Sequence, residues 1–193
     1  MTDSKMNPIT HLFISWSAAN IDSPRTRTVQ GSFERRDRAL VTIGGILPDI
    51  DAFGFIPEWL SGGRIDWFSK YHHMLGHNFS LAVLGLVAAI LLAKKKAATA
   101  MLFIFTFHLH LFCDIIGARG PDGYQWPIPY LWPFNPAVQI TWSHQWPLNA
   151  WQNMAITIVF VVIAIWLAKI KGYSIISLVS EKADKRFLET IKR

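Results

Sequence analysis

Residues 79–116 read FSLAVLGLVAAILLAKKKAATAMLFIFTFHLHLFCDII. Phe79–Ala93 carries no charge, Ala97–Phe107 carries none, and Lys94, Lys95 and Lys96 stand between them. Two apolar runs divided by a basic turn predict a helical hairpin in a membrane. A third uncharged run, Met154–Ala168, reaches 22 residues when counted back to Pro147. That is enough to cross about 30 Å of hydrocarbon. Upstream, Ile9–Ala19 and Ala39–Ile46 fall short of the roughly 20 residues of a simple span. They are expected as short helices packed inside the bundle, as tilted spans or as interfacial helices.

The fold expected is an all-α polytopic membrane bundle of about five helices, three clear spans and two short ones. Residues 1–171 would form the membrane-embedded domain, and residues 172–193 an amphipathic, charged tail. Composition agrees: 51% of residues are apolar, nine are Trp and 17% are charged, against about 25% charged in a soluble chain. The net charge of +6 does not point to nucleic acid, because the basic residues lie in short runs beside apolar segments. One cysteine, Cys113, excludes an internal disulfide. The start of the chain reads poorly as a signal peptide, so it is taken as part of the mature fold.

Lys and Arg set the expected orientation. Residues 21–38 hold five, the turn at 94–96 three, and the tail from Lys169 seven. All fifteen share one side if the five segments alternate, leaving Lys5, Arg64, Lys70 and Arg119 on the other. Positive residues are retained in the cytoplasm, which places the tail inside and the N-terminus outside a bacterial-type inner membrane.

That topology collects chemistry at the outer end of the bundle. His11 opens the first segment, Asp49 and Asp51 close the second, His72, His73 and His77 precede the third, and His110 and Asp114 end the fourth. Imidazole nitrogens and carboxylate oxygens converging on a point suit a divalent cation, with zinc first and manganese or iron as alternatives, as one or two ions. His110 and Asp114, four apart, share a helix face. A single His or Asp at a helix end is more often a cap or a solvated residue. The convergence of several on one layer is what argues for a site.

Around His72, His73 and His77 two readings stay open. Helical geometry would put His73 and His77 on one face, whereas Gly76 suggests a turn, with Asn78 capping the next helix. His108 points elsewhere on its helix and is read as a neighbour of the site. The stretch 119–151 is too broken by Pro and Gly for a helix and too aromatic for an ordinary loop. It is read as an aromatic belt at the headgroup layer, or as a wall over the site that admits an amphipathic substrate. There Arg119 would clamp an anion, Trp126 and Tyr130 would contact substrate, and His144 would stand near the site.

The order Thr10-His11, Leu47–Asp51, His72–His77 and His110–Asp114 resembles the LexA-regulated, membrane-bound family described as metal-dependent hydrolases. It is distantly similar to zinc-dependent phospholipases C. The family spacing His-Arg-Gly-x-Thr-His selects His72 and His77, with His73 where Arg usually stands. The resemblance implies hydrolysis of a phosphoester or ester of a lipid-like substrate, with membrane lipids as partners. Asp49 or Asp51 would accept the proton of a metal-activated water. A metal or proton transporter and a di-iron oxidoreductase are the alternatives. The oligomeric state has no sequence signature.

Overall fold

The computed structural model describes residues 8–20, 34–65, 67, 71–120 and 122–192. The described residues form seven α-helices and no strand: α1 (Pro8–Ala18), α2 (Arg35–Gly44), α3 (Phe55–Leu60), α4 (Phe79–Leu92), α5 (Lys96–Gly117), α6 (Trp151–Lys171) and α7 (Glu181–Ile191). The all-helical membrane fold expected from the sequence is the one observed. Lys5, Lys70 and the Arg-rich connection at 21–33 lie outside the described residues.

Among the described residues two helices are long and apolar enough to cross a membrane, α5 and α6. At 1.5 Å per residue they measure about 33 and 32 Å. The helix starting at Phe79 was expected as a clear span but has only 14 residues, about 21 Å. Its ends explain the shortfall. Asn78 Oδ1 accepts from Leu81 N at 2.9 Å and fixes the start, while the chain turns extended at Ala93, just before the three lysines. The segment through Ala39–Ile46 does not run straight. α2 stops at Gly44, a 3-10 segment begins at Pro48, and the axis bends by 68° between Arg35–Gly44 and Pro48–Leu60. A third crossing exists if that bent pair counts as one span.

α5 is the centre of the bundle, packed against α2, α4 and α1, while α1 also packs on α6. Close helix approach depends on small residues, as in other membrane interfaces. A Cβ on Gly44 would stand 2.8 Å from Phe103 O and from Thr106 Oγ1, so only glycine lets α2 lie this near α5. Polar side chains do run down the interior here. Ser17, Thr42 and Thr106 are buried, and each hydroxyl donates to a backbone carbonyl, of Phe13, Arg38 and Val41 respectively. These bonds remove the cost of unmade hydrogen bonds in an apolar interior.

The 119–150 loop folds back onto the donor end of α5. The last carbonyls of any helix lack intrahelical partners. Here Gln145 Nε2 donates to Asp114 O at 2.6 Å, Trp146 N to Ile116 O at 3.0 Å and Asn153 Nδ2 to Gly117 O at 2.8 Å. Ile128, 1% exposed, enters a core formed with Ala82, Phe107 and Leu111. The tail also packs on the protein. Asp184 is buried and accepts from Ser174 N at 2.8 Å and from Ser174 Oγ, while Arg35 pairs with Glu181 at 3.1 Å.

Candidate metal centre

Four chain segments deliver donors to one buried point. His110 and Asp114 come from the last turns of α5, Asp49 from the 3-10 segment after α2, His77 from the loop before α4, and His11 from the first turn of α1. Three groups of side chains bring ligand atoms within 4.8 Å of one another: His11–His110–Asp114, Asp49–His77–His110 and His73–His77–Asp114.

The tightest part is a triangle. His77 Nε2 and His110 Nε2 lie 3.2 Å apart, and Asp114 Oδ2 lies 3.1 Å from the first and 3.0 Å from the second. Asp49 Oδ1 stands 3.5 Å from His110 Nε2 and 3.9 Å from His77 Nε2. Donors about 2.0–2.1 Å from a tetrahedral ion are separated from one another by about 3.3–3.4 Å. The sides of the triangle approach that spacing, and Asp49 stands looser at its edge. The other oxygen of Asp114, Oδ1, is 3.3 Å from His11 Nε2, and the His11 ring stacks on His110 with centroids 3.7 Å apart.

Neighbouring groups fix which nitrogen faces the centre. His110 Nδ1 donates to Gly45 O at 2.7 Å, leaving Nε2 for the cluster. His73 Nδ1 donates to Trp126 O at 3.1 Å, likewise freeing its Nε2. Both residues of that contact adopt left-handed backbone, His73 at φ 68° and Trp126 at φ 43°. Such strain in non-glycine residues is sustained only where surroundings over-determine it, and it concentrates at functional sites. Burial, then the neighbouring imidazoles of His77 and His72, hold His73 well below the usual histidine range. Burial opposes charge on His77 too, but the carboxylates of Asp114 and Asp51 outweigh it and raise its pKa.

The two histidines left open by the sequence separate here. His73 belongs to the donor groups. His72 instead donates through Nδ1 to Asp51 Oδ1 at 2.9 Å. The segment is a turn and not a helix, yet the His73 and His77 rings lie 4.1 Å apart, with the His73 backbone in the left-handed region. Asp51 accepts from His72 and, through Oδ2, from Gly76 N at 2.8 Å.

The remaining candidates occupy a periphery. Trp126 lies edge-on to His72 at 5.7 Å. Tyr130 Oη donates to His108 Nε2 at 2.7 Å, His108 Nδ1 being bound to Ile104 O. Arg119 is tied to the loop through its backbone, with Trp146 and Leu148. His144 is exposed, beside Ser143 and Trp142 and outside the donor groups. Gln145, 1% exposed, holds the backbone of Asp114. Sequence reasoning passed it over because a lone glutamine in an aromatic loop carries no signal of burial.

Against this geometry, a family model described as YdjM inner membrane protein matches residues 6–180. The chain belongs to the YdjM inner membrane protein family. The match covers all the helices from α1 to α6 and every donor named above. No curated protein and no solved structure matches the chain.

Proposed function

We propose that this member of the YdjM family is a metal-dependent hydrolase that uses water to cleave a phosphoester or ester of a lipid-like substrate. The observation carrying the reading is the triangle of His77 Nε2, His110 Nε2 and Asp114 Oδ2, with sides of 3.0–3.2 Å. Two imidazole nitrogens and a carboxylate oxygen that close, buried in a membrane protein, suit a cation between them better than they suit each other. A divalent ion there, zinc before manganese or iron, would supply Lewis acidity and a water with a pKa near about 7.

The chain's own groups have distinct parts in this reading. His77, His110 and Asp114 would hold the ion, with Asp49, His11 and His73 close enough to contribute. Asp49 is the most exposed of the carboxylates, its side chain 18% accessible, and is the group that would accept the proton of a metal-activated water. Trp126 and Tyr130 offer apolar faces with polar edges for an amphipathic substrate, and Arg119 a guanidinium for its anionic part. In this reading the donors lie toward the extracytoplasmic face of the inner membrane, because the basic turn and tail favour the cytoplasmic side.

A transport role would require a relay along the bundle. The interior hydroxyls of Ser17, Thr42 and Thr106 bond to carbonyls and not to one another, which favours a localised site. The test is elemental mass spectrometry of detergent-purified protein, wild type against His110→Ala and Asp114→Ala. The expected result is one or two equivalents of divalent metal, lost in both variants, followed by release of product from lipid phosphoesters. Wild type that stays empty after incubation with zinc, manganese and iron ends the hydrolase reading. Metal binding with uptake into vesicles and no hydrolysis replaces it with transport.

A further inference from the structure

The two carboxylates of Leu47–Asp51 face opposite sides of one imidazole. Asp49 Oδ1 lies toward His77 Nε2, the nitrogen that meets His110 and Asp114. Asp51 Oδ2 lies toward His77 Nδ1, on the far side of the ring, at 3.8 Å. His77 is completely buried and its Nδ1 has no hydrogen-bond partner among the described residues. Asp51 itself is fully committed behind the ring. Its Oδ1 accepts from His72 Nδ1 at 2.9 Å and its Oδ2 from Gly76 N at 2.8 Å, with its side chain wholly inaccessible.

The loop is keyed to the Asp51 turn at Gly76. A Cβ there would collide with the carbonyl oxygen of Pro48 and stand 3.2 Å from Asp51 Oδ2. Only glycine brings its N–H close enough to reach the carboxylate. Asp51 belongs to none of the groups whose ligand atoms converge.

We infer that Asp51 is a positioning residue and not an ion ligand: it fixes the His72–His77 loop and orients the His77 ring so that Nε2 faces the ion. This rests on the metal-centre reading above. A carboxylate behind a ligating histidine holds the proton on the rear nitrogen, fixes the ring's orientation and raises the basicity of the front one. Closing the 3.8 Å separation to about 2.8 Å would complete that contact, and the orphaned His77 Nδ1 is the atom it would satisfy. Asp49 and Asp51, two residues apart, thus divide into a group in the coordination shell and a group that aims it.

The experiment compares full-length wild type, Asp51→Asn and Asp49→Asn in detergent, using cobalt(II) absorption, zinc competition and nitrogen-15 shifts of the histidines. An asparagine at 51 keeps one oxygen for Gly76 N and His77 Nδ1, but without the negative charge, and sets its NH2 against the His72 Nδ1 donor. The expected Asp51→Asn result is unchanged stoichiometry and cobalt spectrum, affinity about 10–100-fold weaker, and a shifted His77 Nδ1 resonance. Asp49→Asn should alter the cobalt spectrum. A changed spectrum or lost equivalent in Asp51→Asn makes Asp51 a ligand and overturns the inference. Unchanged affinity with lower thermal stability makes its role structural only and overturns it as well. Should Asp51→Asn not fold, wild type decides: His77 must keep its proton on Nδ1 in the zinc-loaded protein, and metal on that nitrogen refutes the assignment. Wild type that binds no ion defeats the metal reading itself, which the Asp51 outcomes do not.

Discussion

His110 Nδ1 donates to the carbonyl oxygen of Gly45 across 2.7 Å, tying an imidazole of α5 to the backbone just beyond α2. The ring is held by a group that no side-chain substitution removes. Gly45 is there because a Cβ would collide with Ser15 of α1. Three helices therefore meet at the support of one donor.

Gly45→Ala is expected to destabilise the protein by about 1–3 kcal/mol through overpacking. Thermal unfolding in detergent should show the loss, and Ser15→Gly combined with it should recover part of the difference. Equal, additive losses would mean that the two residues do not share the contact.

Metal affinity should fall as pH falls, because ligand imidazoles must be deprotonated to bind. His77 has its pKa raised above the ordinary 6.5 by Asp114 and Asp51 against the opposing effect of burial. Proton competition at this residue therefore begins above that pH and grows below it. Zinc competition titrations between about pH 6 and 8.5 test the sign. Affinity that is flat across the range would show that His77 is not among the ligands.

Asn78 is bound at both ends of its amide, accepting from Leu81 N and donating to Met74 O and Leu75 O. Asn78→Ala removes the cap of α4 and should cost about 0.5–2 kcal/mol or more. Asn78→Asp keeps the acceptor and loses the two donors, so its melting temperature should lie between alanine and wild type. An aspartate variant no better than alanine would transfer the effect from the cap to the loop carbonyls.

The tail offers a contrast between two acids. Asp184 is buried against Ser174, whereas Glu181 meets Arg35 at the surface with its side chain 74% exposed. Asp184→Ala should expose the tail to limited proteolysis, and Glu181→Ala should change little, since exposed pairs contribute about 0–1 kcal/mol. Equal cleavage rates would place the anchor elsewhere on α7.

Much of this protein was legible in its sequence because its determinants are local. Runs such as Ala97–Phe107 have few alternatives to a membrane helix, since lipid offers the backbone no hydrogen-bond partners. The pair His110 and Asp114 could be put on one face from their spacing, and the Asn78 cap from its position ahead of an apolar run. The length of α4 was not legible, and the span expected there is shorter, because hydropathy does not mark where a cap and a basic turn cut a helix.

What the tertiary structure alone decided is which groups meet. Placing His73 in the donor groups, and His72 behind Asp51, depends on a left-handed backbone at a non-glycine residue. Nothing local favours that conformation; contacts with Trp126 from 53 residues away sustain it. Asp49 and Asp51 look alike in the sequence, yet the close approach of Gly76 to Pro48 puts them on opposite sides of His77. The sequence determined the membrane helices and the kinds of donor at their ends. The packing of loops against those ends determined the site, because coordination depends on ångström-scale distances that spacing along a chain does not encode.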